Sequence, residues 1–327
     1  MLRTLSILVL AAFLLADGSA YAQSAASYPT RPLRMIVPFV PGGATDFVAR
    51  VIQPRLSEEL GQPVVVENRA GASGNIGVEL AARATPDGYT VLLGNIGAMA
   101  INPALFRKFP IQPVRDFVCL CPMVDIPTVF VVNAAVPVAT LKEFIDYAKA
   151  KPGQVNYAST GAGSNSRMSM EYIMNKAGIK LVNVPYSGGG AATTALLSGE
   201  VSVSVFSVAS LIPHARSGRL KGLAVIAPKR IDALPEMPTL AESGFPELTL
   251  GSWQAIFVST PTPLHIVKKL HTVVGKVMAD NAMVQRLRAG GAEPIGIQSL
   301  EKCAAFIKAQ NEFWAKLVEQ VGVTAEQ

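Results

Sequence analysis

Two α/β lobes are the fold class that the sequence predicts, and three observations predict it. Strand signals alternate with helix signals along most of the chain, and glycine-bearing loops follow several of the strands. At 327 residues the chain also exceeds the ~250–300 residues that a single hydrophobic core usually organises. The composition is that of a folded chain: 50% hydrophobic and 16% charged, with the two kinds interspersed, which excludes disorder. The net charge of +6 is spread thinly, with no basic run, so nucleic acid is set aside as a partner.

Residues 1–22 read as a signal peptide rather than structure. Arg3 supplies the positive start, Leu5 to Ala16 the apolar stretch, and Ala20-Tyr21-Ala22 a small-x-small cleavage site ahead of Gln23. That stretch falls short of the ~18–20 residues of a membrane span, which disfavours the alternative of an uncleaved anchor. Its removal takes away one Arg and one Asp and leaves the charge at +6. No later segment is long and apolar enough to cross a bilayer, so the mature protein is expected to be soluble, exported and periplasmic.

The first strand is LRMIVPFV (33–40), followed by PGGATD and a helix from Asp46 to Leu60 that Gly61 ends. Pro54 within that helix predicts a kink or a restart. PVVVEN (63–68) leads through RAGASGNIG into a helix ending at Ala84, and YTVLLGN (89–95) is the third strand. Three such repeats predict an open parallel sheet. The alternation restarts after Cys121, with TVFVVN (128–133), the helix LKEFIDYAKA, and QVNYAST (154–160) running through GAGSNSR into a helix from Met168 to Ala177. KLVNVPY (180–186) precedes SGGGAA and a helix ending near Gly199. A strand near Val201–Phe206, a helix near Ser210–Ser217 and the strand LKGLAVIA complete this run. Arg230 to Thr249 is proline-rich and irregular, WQAIFVS (253–259) is a strand, and two amphipathic helices finish the chain. The expected division is 23–127 for the first lobe, 128–249 for the second, and 250–327 returning to the first.

Each glycine loop leaves a strand's carboxyl end and opens a helix, where unpaired N–H groups and the positive dipole end favour an anion. Gly42-Gly43, Gly71-Ala72-Ser73-Gly74 and Gly161-Ala162-Gly163-Ser164 would admit a ligand close to the backbone. Enzyme motifs are missing. GASGNIG has the wrong spacing for a dinucleotide fingerprint, GAGSNS lacks its last glycine, and no phosphate-loop, serine-elbow or H-E-x-x-H pattern occurs. His214, His265 and His271 form no ligand-spaced pair. Cys119 and Cys121 are expected on one face of a strand, ~6.6 Å apart, at the limit of disulfide reach. Cys303 falls on a helix, and all three cysteines read as small buried hydrophobes. Neither a metal nor a cofactor is expected.

The chain resembles the tripartite tricarboxylate transporter receptor family of extracytoplasmic solute receptors, over residues 28–325. YPTRPLRMIVPFVPGGATDFVAR and LGQPVVVENRAGASGNIGVELAARATPDGYTVLLG resemble its first two blocks. INPALF, VNYASTGAGS, NVPYSGGGAA, GRLKGLAVIAPKR, LPEMPTLAESGFPEL and SWQAIFVSTPTP follow in order. The resemblance implies a two-lobed, periplasmic-binding-protein-like (type II) fold with a ligand cleft between the lobes. It also implies a monomer that closes on a small organic acid and delivers it to membrane permease subunits, or, in the competing reading, signals to a sensor kinase.

By the same resemblance, Gly42, Gly43, Ala44, Thr45 and Asp46 hold the ligand carboxylate from one side, and Gly161, Gly163 and Ser164 from the other. Ala72, Ser73, Gly74, Asn95 and Tyr186 complete the wall, with Phe39, Ser159 and Asn165 alongside these loops. Asp46 stands at a helix start, where capping N–H groups competes with touching ligand. Arg167 stands where the family usually has His, Ser202 and Phe206 where it has acids, Ser187 where it has Lys, and Gln112 where it has Asp. Facing the cleft, Arg167 would clamp a second carboxylate for ~1.5–3 kcal/mol, and Phe206 would favour an apolar or aromatic ligand body. Facing away, Arg167 would be a surface residue and Phe206 a core residue.

Overall fold

The structure, a computed structural model, describes residues 28–324 apart from 107, 250 and 297; the expected signal peptide lies outside the described residues. The chain begins with β1 (Leu33–Val37), α1 (Ala44–Leu60), β2 (Val64–Asn68), α2 (Asn75–Ala82) and β3 (Thr90–Asn95). A π-helical turn at Gly97–Ile101, two short helices α3 (Asn102–Leu105) and α4 (Pro113–Asp116), and β4 (Phe117–Asp125) follow. The second run is β5 (Thr128–Asn133), α5 (Leu141–Lys149), β6 (Asn156–Ser159), α6 (Asn165–Ala177) and β7 (Val182–Pro185). It continues with α7 (Gly189–Ser198), β8 (Val203–Ser207), α8 (Val208–Arg216) and β9 (Leu220–Ile226). The chain ends with β10 (Gln254–Ser259), α9 (Leu264–Ala279), α10 (Asn281–Ala289), β11 (Glu293–Pro294) and α11 (Leu300–Val321).

The strands form two sheets, ordered β11-β4-β10-β3-β1-β2 and β7-β6-β8-β5-β9. Both are mixed, which corrects the expectation of purely parallel sheets. β1 pairs in parallel with β2 and β3, but β10 lies antiparallel between β3 and β4. Likewise β6 is parallel to β7 and β8, while β5 lies antiparallel between β8 and β9. The reversed strands are the two by which the chain enters each sheet from the other. A strand that starts at the end where its neighbours finish must run against them. The loops after β1, β2, β3, β6, β7 and β8 therefore gather where the two sheets meet.

The two crossings run side by side. Ile126 N–H donates to the Ser252 carbonyl at 3.3 Å and Ser252 N–H to the Ile126 carbonyl at 2.9 Å. Gly251 passes so close to Ile126 and Pro127 that a side chain would not fit. Asp125 lies beside this crossing, 8% exposed, with Oδ2 accepting from Gly251 N–H at 3.3 Å. Its Oδ1 has no partner. Burial pushes this carboxyl up to about 7, against the pull of the Gly251 and Ile126 amides.

One apolar core runs through both sheets. Ile36, Leu92 and Phe257 from the first and Phe130, Tyr157 and Leu223 from the second belong to it, joined by Met99, Trp253 and Trp314. Phe130 meets Phe144 of α5 edge-on at 5.0 Å, and Trp253 meets Phe306 of α11 at 5.4 Å. The opposite face of the first sheet is covered by Val48 and Ile52 of α1 and by Val267, Leu270 and Val274 of α9. Leu196 of α7 and Leu211 of α8 cover the outer face of the second.

Several local expectations change. α1 runs through Pro54 without restarting and ends at Gly61 in the left-handed conformation, φ 66°. α6 starts at Asn165 rather than Met168, because Ser164 caps it by accepting from Arg167 N–H. Three helices, not two, close the chain. Asp280 stops α9 and caps α10 by accepting from the amides of Ala282 at 2.8 Å and Met283 at 3.1 Å. Cys119 and Cys121 do not share a face. They pair with consecutive residues, Phe257 and Ile256, so a bulge at Leu120 sends Cys119 into the core with Phe257 and Cys121 into the one with Ile256.

Asp125 makes a prediction. The folded chain keeps its proton to about pH 7 while the unfolded chain releases it near 3.8. The stability this group contributes is thus present below the unfolded value and lost as pH rises through the folded one. The melting temperature of Asp125→Asn should gain on that of the unaltered protein between about pH 4 and pH 8, read by scanning calorimetry. A constant difference would mean that the carboxyl ionises normally.

Candidate ligand cleft

The turn after β1 is shaped by Asp46. This carboxylate, 3% exposed, accepts from the amide of Gly42 at 2.9 Å, Arg50 Nε at 2.9 Å and Asn68 Nδ2 at 2.9 Å. Burial raises its pKa, but the bonds from Arg50, Gly42 and Asn68 outweigh that and hold it below the usual carboxylate range. Its lone pairs are spent on the turn, so Asp46 positions the loop. Gly42 takes φ +83°, and the amides of Gly43, Ala44 and Thr45 open α1 with no acceptor inside the helix. Phe39 lies half-buried beneath, its ring 3.1 Å from where a Cβ on Gly74 would sit.

Four successive residues, Gly71, Ala72, Ser73 and Gly74, have positive φ. In Ala72 and Ser73 that conformation costs roughly 1–2 kcal/mol each, so something must hold it. Asn102 does: its Nδ2 donates to the Ser73 carbonyl at 2.9 Å and to Asn75 Oδ1 at 2.7 Å. Asn95 ends β3 and accepts from Ala98 N–H at 3.0 Å, fixing the start of the π-helical turn.

The loop after β6 faces those after β2 and β3. Gly161 is at φ +114°, and Ser164 Oγ donates to the Gly161 carbonyl at 2.7 Å while capping α6. Gly163 touches the first lobe: a Cβ there would fall on the Asn102 amide oxygen, and the Gly163 carbonyl lies 2.7 Å from a Cβ built on Gly97. Gly161 approaches Ser73 Oγ, 3.8 Å from a built Cβ. Residues from the β2, β3 and β6 loops thus meet across the cleft with only glycine-sized clearance.

The other expected residues divide. Asn165, 8% exposed, reaches Thr128 Oγ1 at 3.5 Å at the crossing, and Ser159 Oγ is fully buried with no partner. Tyr186 donates its hydroxyl to Glu200 at 2.7 Å; burial, then that carboxylate, pushes its pKa up to about 12. Arg167 donates from Nε to Glu171 at 2.9 Å, and the same carboxylate oxygen accepts from Tyr157 at 2.9 Å. Its guanidinium lies along its own helix, one turn on, rather than waiting for a second ligand carboxylate. Phe206 is 8% exposed within the second lobe's apolar cluster, which is the core placement and not the cleft-facing one. Asn75, Gly97 and Asn102 are cleft residues that the sequence reading missed; Asn102 lies in the INPALF block but carries no charge to mark it. A cavity of about 230 Å³ lies between Ile96, residues 247–249 and α11.

Residues 48–323 match the model of the family described as "Tripartite tricarboxylate transporter family receptor". The chain belongs to this family. BugT of Bordetella pertussis is 36% identical over 315 residues, 96% of each chain. A protein of R. palustris, Rpa4515, solved with adipate, superimposes with a TM-score of 0.83 at 32% identity, over 92% of this chain and all of that one. MatC of Rhodopseudomonas palustris, solved with bound malate, gives 0.80 at 30% identity, over 89% of this chain and all of that one. The protein is therefore a two-lobed receptor of a family of periplasmic solute-binding proteins. Among the described residues no helix is long and apolar enough to cross a membrane.

Within this receptor the contact between Gly163 and Asn102 yields a prediction. Gly163→Ala should weaken ligand binding roughly tenfold or more by holding the lobes apart. The ligand-free melting temperature should stay within about 2 °C, because an opened cleft relieves the clash. Calorimetric titration with unaltered affinity would show that closure does not need this contact.

Proposed function

We propose that this receptor captures a small organic dicarboxylate by closing its lobes on it, and releases it to the permease subunits of a tripartite tricarboxylate-type transporter. The observation that carries the reading is the convergence of helix starts. The loops that open α2 on one lobe and α6 on the other meet across the cleft, and the loop that opens α1 leaves the same sheet beside them. The amides at such helix starts bind carboxylates without a dense cluster of cations. Two carboxylates suit two lobes: each helix start takes one, and the ligand then bridges the gap. Charge-assisted bonds of ~1.5–3 kcal/mol each, with some apolar burial, reach the ~8 kcal/mol of a micromolar complex after ordering costs.

Bound adipate and malate in two solved relatives support a ligand of this class. With Arg167 held by Glu171 and Phe206 in the core, selection among dicarboxylates falls to length, set by the separation of the two helix starts. Titration with straight-chain dicarboxylates of increasing length is the test. The expected result is one-to-one binding with a single optimum of length, and a loss of roughly tenfold or more for the monocarboxylate matching that optimum. Equal affinity for the monocarboxylate would overturn the two-ended reading.

A further inference from the structure

We propose that Cys119 and Cys303 form a disulfide when the protein matures in an oxidising compartment, leaving Cys121 as the one free thiol. The three cysteines are buried, and α11 brings Cys303 against β4, which carries the other two. The bulge at Leu120 decides which pair. It turns Cys119 towards the apolar face on which α11 packs, where Cys303 lies, and turns Cys121 to the other side of the sheet. The Cys119 and Cys303 thiols are neighbours within that core. Cys303 Sγ is further fixed 3.7 Å from the Leu120 carbonyl and 3.6 Å from the Gln298 carbonyl. Cys121 Sγ is engaged instead with the Pro122 carbonyl at 3.3 Å.

The two thiols differ in readiness to react. Burial pushes the Cys119 thiol well up, whereas the neighbouring Cys119 thiol lowers that of Cys303. Before α11 docks, Cys303 can open the exchange as a thiolate. It loses its proton and attacks the disulfide of a protein or small-molecule disulfide oxidant, forming a mixed disulfide and expelling one oxidant thiolate. The Cys119 thiolate then attacks Cys303 Sγ, the second oxidant thiolate leaves, and the S–S bond closes. Two protons and two electrons have left the pair, and the oxidant's disulfide has become two thiols. Cys119 and Cys303 are 4% and 0% exposed in the folded chain, so the exchange belongs to folding, before α11 seals the site. Periplasmic proteins meet such oxidants, and the bond then resists later reduction because no reductant reaches it. The loop it closes contains the whole second lobe and both crossings.

The test uses the unaltered protein, exported to the periplasm, purified without reductant and alkylated in denaturant. One alkylated thiol per chain is expected, with an intact mass two hydrogens below the reduced form. A non-reducing peptide map should join the peptides of Cys119 and Cys303 and place the label on Cys121. Three labelled thiols, or a bridge through Cys121, would overturn the proposal. Cys121→Ser should keep the bridge and lose the label, whereas Cys303→Ser should carry two labels; a bridge persisting in Cys303→Ser would equally sink it.

Discussion

Helix starts with unpaired amides, aimed at one another from two sheets, are the constraint on which the architecture rests. Each strand that ends at the cleft must hand its chain to a helix, and the first turn of every helix leaves donors without partners. In a closed core those donors would be a liability. On the proposed reading, at the junction of two lobes they form an anion site whose donors are fixed in place by the backbone. The surrounding polar side chains hold the loops rather than the ligand. Asp46 spends its oxygens on Gly42, Arg50 and Asn68, and Asn102 spends its amide nitrogen on Ser73 and Asn75. Ala72 and Ser73 sit in a conformation that only such support makes tenable.

The strands and the loops between them were legible because alternation and glycine are local signals. β5 was bounded to the residue, and the glycine loops fall between a strand and a helix as read. What the sequence hid was non-local. The antiparallel setting of β5 and β10 follows from where the chain crosses, which periodicity cannot report. The extra residue at Leu120 matches two β4 residues to one step of β10, so the two-residue rule misplaced Cys121. Arg167 and Glu171, four apart on a helix, are a pairing that spacing could have signalled. α10 was lost because the breaker between it and α9 is a single Asp280, with no glycine or proline to mark it.

Closure of the cleft has to be reconciled with a core that does not stop at the lobe boundary. Trp253, Met99 and Trp314 tie the two sheets into one apolar cluster, and α11 carries Trp314 along its length. The paired residues around Ile126 and Ser252 are where the chain passes between the lobes, so the proposed closure would bend there. The carboxyl of Asp125 lies beside that crossing with one oxygen unpartnered.

The insertion of β10 between β3 and β4 sets an order of assembly. Every strand of the second sheet comes from one unbroken stretch, Thr128 to Ile226, which can complete itself as soon as it is available. The first sheet has a gap at its centre until Gln254–Ser259 arrives, although four of its six strands precede the second lobe. The amino-terminal half of the molecule must therefore wait, unfinished, for its carboxyl-terminal quarter. A chain threaded through a membrane from its amino end would mature from the middle outward.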